Sequence, residues 1–340
     1  MKLTSILCST ILFVCCALPV TVFAKPAILI VDGRNNHDWR TTTDALRATL
    51  ESTGLFEVAI TTAPEDKLPS PPREPKGGDA NFAEAKARHA ELLKGEKPAL
   101  DAAWAKWSPD FSKYAAVVLN YNGPAWPEPM RKAFVEYVRG GGGVFLVHAA
   151  NNGFTDWPEF NEMIGLGWRK AGFGVALTIN PESGAVAECC SDQASGHGSK
   201  HPFVVAVRKP EHPVLRGLPA EWMHGRDELY HHMRGPAKNL TILASALSEV
   251  KEGGSGLHEP VLWETTFGKG RVLTCSLGHF WRGDTQFDSL YCAGFQTLLA
   301  RGVEYVGTGK VTLDAPANFP RKDKPSLIEP HAVQWSTQHR

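Results

Sequence analysis

The apolar positions of this chain fall into short unbroken runs separated by segments of helical periodicity. Ala27 to Val31 is one such run, and Asp44 to Ser52 follows it with Leu46 and Leu50 at helical spacing, which predicts a buried strand leading into a helix. Phe56 to Thr61 predicts a second strand, Tyr114 to Leu119 a third and Val144 to Val147 a fourth. Between the last two, Glu128 to Arg139 places Met130, Phe134 and Val138 on one helical face. None of these strands alternates apolar with polar residues, as expected of a sheet covered on both faces. Strand, helix, strand, repeated, is the pattern of parallel βαβ units. The expectation is therefore an α/β three-layer sandwich around a mainly parallel central sheet, with right-handed crossovers. Its ligand cleft should lie beyond the C-terminal ends of the strands. The loops to inspect are those after Val31, Leu119, Val147 and Cys275.

The pattern changes elsewhere. Pro64 to Pro75 is rich in proline and charge and reads as a surface loop; Asn81 to Leu93 and Leu100 to Trp107 read as two helices. Together, from about residue 64 to 110, they form an insertion, taken as decoration in preference to a lid. After Val175 the strands shorten, through Phe203 to Val207, Leu240 to Leu243, Val261 to Thr265 and Val272 to Cys275, and a helix is expected over Gln286 to Arg301. Gly268 and Gly270 suit a hairpin turn between the last two of these strands. The domain is expected to span residues 25–312, and the Pro-rich polar tail after it, 313–340, to wrap the surface or fray.

At the amino terminus, Met-Lys, an apolar stretch from Ile6 to Val22 and Val22-Phe23-Ala24 match an export signal cleaved after Ala24. The expected product is periplasmic or secreted, with no stable membrane anchor. Lys plus Arg and Asp plus Glu both number 36, with no long run of either sign, so the electrostatic footprint of a nucleic-acid binder is missing. A small neutral substrate fits better. Homo-oligomerisation stays open. Beyond the leader remain Cys189, Cys190, Cys275 and Cys292, enough for two disulfides, whose pairing the sequence leaves open.

Candidate chemistry gathers at the loops named above. Asp32-Gly33-Arg34-Asn35-Asn36-His37-Asp38 follows the first strand; Asn36 and His37 are expected to bind substrate and Asp38 to cap the next helix. Val144 to Val147 runs straight into His148-Ala149-Ala150-Asn151-Asn152, a junction where many α/β enzymes hold a nucleophile. Here it carries an imidazole suited to proton transfer. His279 follows another strand end, after Cys275, whose thiol is expected to be buried and inert. Asp227 and Glu228 are adjacent, so in extended chain only one should face the cleft. The expected acid–base set is His148, Asp227, Glu228 and His279, with Asn36, His37, Asn151, Trp168 and Tyr230 binding substrate. No cofactor is expected; a divalent metal, if one binds, would use His197 and His201, four residues apart, although Gly198 and Pro202 favour a loop there.

Taken in order, these stretches resemble the trehalose-utilisation family, the ThuA-like domain. The resemblance rests on Asn35-Asn36-His37-Asp38, the Gly-rich run into His148-Ala149-Ala150, Ile164-Gly165-Leu166-Gly167-Trp168, His212-Pro213 to Gly217-Leu218-Pro219, Asp227-Glu228-Leu229-Tyr230, and Gly268-Lys269-Gly270-Arg271-Val272 to Gly278-His279. It implies a flavodoxin-like fold related to class I glutamine amidotransferases and a part in disaccharide catabolism through 3-keto sugars. The amidotransferase cysteine is replaced by His148, which argues against glutamine hydrolysis. The leading expectation is an enzyme acting on a 3-keto-glycoside or related sugar by isomerisation, elimination or hydrolysis. The other is a non-catalytic carbohydrate-binding protein that uses Trp39, Trp126, Trp157, Trp168 and Trp281 as stacking platforms.

Overall fold

The structure, a computed structural model, describes residues 24–65, 72 and 80–337. Nearly all of the expected leader and most of the Pro64 to Pro75 loop lie outside the described residues. The first half of the chain builds β1 (Ala27–Asp32), α1 (Trp39–Ser52), β2 (Glu57–Thr62), α2 (Ala80–Lys106), β3 (Ala116–Leu119), α3 (Glu128–Gly140), β4 (Gly143–Val147) and α4 (Pro158–Ile164). Short strands follow: β5 (Val175–Ile179), β6 (Val186–Cys189), β7 (Gly196–His197), β8 (Val204–Val207), β9 (Glu221–Met223), β10 (Tyr230–His231) and β11 (Arg234–Gly235). Then come β12 (Leu240–Leu247), β13 (His258–Phe267), β14 (Gly270–Cys275) and α5 (Ala293–Thr308).

Nine strands form the central sheet, in the order β2-β1-β3-β4-β14-β13-β12-β8-β9. The first five pair in parallel and the remainder antiparallel. Two smaller sheets, β10-β7 and β11-β5-β6, sit alongside. The parallel half follows a flavodoxin-like order, in which the chain reverses its direction of travel across the sheet between β1 and β3.

Alternate residues of each buried strand serve opposite faces. Ile28, Ile30, Ala116, Val118, Phe145 and Val147 join Leu46 and Leu50 of α1 and Leu298, Leu299 and Val303 of α5 in one core. Leu29, Val31, Val117, Leu119, Val144 and Leu146 join Phe134 and Val138 of α3 and Phe160 and Ile164 of α4 in the other. These two cores make the flavodoxin-like three-layer sandwich and explain why the strands read as continuous apolar runs. β2 departs from that rule: as an edge strand it is half-exposed along its length.

Several boundaries move. α1 starts at Trp39 because the Asp38 carboxylate accepts from the Thr41 N–H, satisfying a helix-end donor ahead of the first apolar position. The insertion holds one 27-residue helix where two were expected, with Pro98 inside it and exposed Glu84–Arg88 and Lys97–Asp101 pairs one turn apart along it. α5 begins at Ala293 and continues to Thr308, because Val303 and Val306 extend its buried side beyond the expected end. The Gly268 turn joins β13 and β14 with a left-handed φ of 60°. The tail packs back on the domain: Leu327 bridges Cys292, and the Trp335 indole donates to Ser52. Cys189, Cys190, Cys275 and Cys292 are free thiols. Among the described residues, no helix is long and apolar enough to cross a membrane.

Candidate functional site

The C-terminal ends of β1, β4 and β14 deliver three imidazoles to one place. β1 and β4 lie on either side of β3, and β14 lies next to β4, so His37, His148 and His279 emerge on the same edge of the sheet. Their rings sit edge to face, with centroids 4.8 Å apart for His37 and His279, 5.0 Å for His37 and His148, and 5.3 Å for His148 and His279. Glu228 comes from the segment before β10 and places Oε1 3.2 Å from His279 Nε2 and Oε2 3.9 Å from His148 Nε2. One nitrogen or oxygen from each of these four residues lies within 4.8 Å of the others.

The loops are held rigidly. His148 has a left-handed φ of 42°, a strained conformation for a side chain with a Cβ, at the point where β4 ends. The turn after it is tied by the buried Arg169 guanidinium, which donates to the carbonyls of Asn151, Asn152 and Gly153 and to the Asn161 side chain. The first loop is fixed through Asn35, whose amide donates to Asn120 after β3, and Asn36, which accepts from the Asn122 amide.

Asp227 holds the remaining side. Its buried carboxylate accepts from the backbone N–H groups of Gly278, His279 and Glu228 and contacts His224 Nε2 at 2.8 Å. Asp227 also bridges His201 through backbone bonds, so the strap carrying Glu228 runs antiparallel to the His197–His201 loop. Alternation in that strap turns Asp227 into the protein and Glu228 toward the opening.

Burial drives the electrostatics. It lowers His37 to about 3 and His279 to about 4, and takes His148 well below the ordinary histidine range, the neighbouring imidazoles adding to the effect on His37 and His148. Burial, with Asp227 next in line, raises Glu228 to about 8. All three imidazoles are thus neutral, with lone pairs available. Behind Asp227, burial opposes a charge on His224, but negative charge on the Cys292 sulfur and Asp227 itself raise that imidazole to about 10.

Three of the four residues, His37, Glu228 and His279, border a cavity of about 600 Å³, and His148 is buried behind the Tyr230 hydroxyl, 2.8 Å from its Nε2. The cavity wall includes Asn36, Asn152, Trp168, His197, Lys200, Tyr230 and Trp281 beside His37, Glu228 and His279. Trp281, 42 % exposed, lies nearly parallel to the His279 ring at the rim, and Trp168 stands edge-on to Tyr230. Lys200 pairs with Asp284 at 2.9 Å.

The structure thus brings together His37, His148, Glu228, His279, Asn36, Trp168 and Tyr230. It places the others differently. Asp227 is wholly buried and reaches the cavity only through the backbone it holds. Asn151 is also wholly buried, accepting from the Trp168 N–H, and its neighbour Asn152 lines the cavity instead. The pairing of His197 with His201 as metal donors is corrected. His201 points away, its Nδ1 on the Ser199 carbonyl and its ring against Phe203, because this stretch is extended and not helical. The described group able to hold a metal is His37, His148, Glu228 and His279. Cys275 is buried, its thiol pushed up to about 12, and unsuited to attack. Trp39, Trp126 and Trp157, three of the proposed stacking platforms, are buried as well. No residue of α2 lines the cavity. Lys200 and Asp284 escaped the sequence reading; the signal available was a lysine set between His197 and His201.

Comparison with known proteins agrees with the fold. The family model described as trehalose utilisation matches residues 84–306. A ThuA-like protein from Parabacteroides merdae ATCC 43184 has a crystal structure 34 % identical in sequence, with a TM-score of 0.75, covering 91 % of this chain and 99 % of its own. A second ThuA-like protein, from Bacteroides uniformis ATCC 8492, is 18 % identical with a TM-score of 0.49, covering 86 % of this chain and 96 % of its own. A search of curated proteins gave no match. The strand-end histidines and the motifs around them thus lie in a chain that belongs to the trehalose-utilisation (ThuA) family.

Proposed function

We propose that this protein is an exported enzyme that moves a proton next to the carbonyl of a 3-keto-glycoside or related sugar. The observation that carries the reading is the meeting of His37, His148, His279 and Glu228, from four distant stretches of chain, in one cluster of which His37, His279 and Glu228 line a cavity. Membership of a family described as trehalose utilisation supports a sugar as substrate, and Trp281 at the rim supplies a face for a sugar ring. The leader-like residues 1–24 support export.

A keto group acidifies the adjacent C–H. Glu228 is placed to take that proton as carboxylate, and the electron pair left behind moves onto the keto oxygen. The Lys200 ammonium and the Tyr230 hydroxyl, both on the cavity wall, are the available donors to that oxygen. Return of the proton to the former carbonyl carbon, with the hydroxyl proton of the deprotonated carbon passing to the former keto oxygen, completes an isomerisation; return of the electron pair from oxygen to re-form the carbonyl, as a group β to it leaves with its bonding pair, completes an elimination.

The test is deuterium exchange at the C–H beside the keto group of a 3-keto-glucoside in D2O, followed by NMR. The native chain should exchange and convert the sugar, and Glu228→Gln should slow both by about 100-fold or more, the usual range for a proton-transfer group. An undiminished rate in that variant would remove Glu228 from the mechanism. Quenched tryptophan fluorescence with the sugar recovered intact would instead establish the binding-protein reading.

A further inference from the structure

We infer that His37, His148 and His279, completed by Glu228, bind one divalent transition-metal ion. The acceptors behind the rings favour one tautomer of each. His148 Nδ1 lies 2.6 Å from the Ser276 carbonyl oxygen, which only accepts, so the ring proton sits there. His37 Nδ1 lies 3.1 and 3.2 Å from the side-chain oxygens of Asn35 and Asn36; those amides are oriented by donating to, or accepting from, Asn120 and Asn122. His279 Nδ1 faces the Asp284 carboxylate at 4.0 Å. His148 and His37 therefore carry their protons on Nδ1, and a proton on His279 Nδ1, drawn by the Asp284 charge, leaves a third imidazole lone pair beside the Glu228 carboxylate.

Lone pairs arranged in this way repel one another and offer no hydrogen to a substrate oxygen. His279 Nε2 is buried and makes no hydrogen bond, although Glu228 Oε1 stands 3.2 Å away. A cation removes the repulsion and satisfies all four groups. Three imidazoles and one carboxylate are borderline donors suited to zinc, cobalt, iron or manganese, whereas calcium and magnesium prefer all-oxygen sites. An acceptor behind each ligating imidazole is also what metal sites use to fix the tautomer.

One contact must give way. The Tyr230 hydroxyl lies 2.8 Å from His148 Nε2 and donates to it. The Asn152 side chain stands beside the same hydroxyl as its other partner, so the phenol can turn there when an ion takes the nitrogen. Tyr230→Phe removes the competitor and should bind metal at least as tightly as the native chain. The inference rests on the catalytic reading only for what the ion would do, which is to polarise the sugar carbonyl while Glu228 stays close to the adjacent C–H.

The experiment uses the tag-free chain, stripped with a chelator and titrated with zinc or cobalt by calorimetry, with elemental analysis after gel filtration. One ion per chain is expected, with affinity falling about 100-fold or more in His37→Ala and in His279→Ala. Glu228→Gln, which keeps the side-chain shape, should weaken binding while melting as the native chain does when both are metal-free. Absence of saturable binding of zinc, cobalt, iron or manganese to the native chain would overturn the inference. So would one ion held as tightly by both histidine variants. Stoichiometric binding without turnover of a 3-keto-glycoside would overturn the catalytic reading alone; turnover by a stripped chain that binds no ion would overturn the metal site alone.

Discussion

Replacing Asp227 by Asn would test whether one buried carboxylate holds the site together. Asp227 accepts three backbone N–H groups and contacts His224, an imidazole raised to about 10. The amide is the same size, so no cavity opens, but one oxygen becomes an N–H2 that meets donors. At least one of the two pairs of contacts is then lost, and the His224 charge keeps only the Cys292 sulfur beside it. Hydrogen bonds to charged groups contribute about 1.5–3 kcal/mol each, and breaking a buried ion pair costs about 3–5 kcal/mol. Because these terms describe overlapping contacts, the expected loss is about 3–5 kcal/mol. In a chain of this size that lowers the melting temperature by about 4–7 °C. Urea unfolding followed by circular dichroism measures it, with an unchanged denaturant slope showing that only stability moved. Asp323→Asn, at an exposed pair with Arg321, should change stability by no more than about 0.5 kcal/mol and serves as the control. A loss below about 1 kcal/mol in Asp227→Asn would refute the claim that this carboxylate anchors Gly278, His279 and Glu228.

Two further outcomes are expected. Burial raises the Glu259 carboxyl from its ordinary 4.5 to about 7, although Ser255 and the His232 N–H bond to it; His232 Nε2 stands 4.0 Å away. The folded chain thus holds this proton more tightly than the unfolded one, so its contribution is complete below about pH 4.5 and is lost as pH rises through 7. The loss amounts to about 3 kcal/mol at most. Glu259→Gln should be more stable than the native chain at pH 8 and equal to it near pH 4.5 in thermal melts; equal pH sensitivity of the two chains would exclude Glu259 as the source. Trp281→Ala removes a half-exposed face at the rim and should leave the melting temperature within about 2 °C while weakening sugar binding several-fold, in line with about 0.5–1.5 kcal/mol for an aromatic contact. Unchanged affinity by calorimetry would take the sugar off that face.

The apolar runs at β1, β3, β4 and β14 were legible as strands because burial on both faces leaves a local mark, a stretch of chain with no polar position. Their polar sequels, Asn36-His37, His148 and His279, were legible for the same reason: polar groups directly after a buried strand stand at the sheet's edge. The alternation that turns only one of Asp227 and Glu228 toward a cleft was legible too, but not which one. That choice depends on the pairing of the strap with the His197–His201 loop, a contact between segments about thirty residues apart. The convergence of three imidazoles depends on strand order, which puts β14 beside β4 although more than a hundred residues separate them in the chain. Spacing within the sequence pointed instead to His197 and His201, because periodicity reports only neighbours along one element. Long-range pairing alone decided that His201 turns away and that Glu228 completes the cluster.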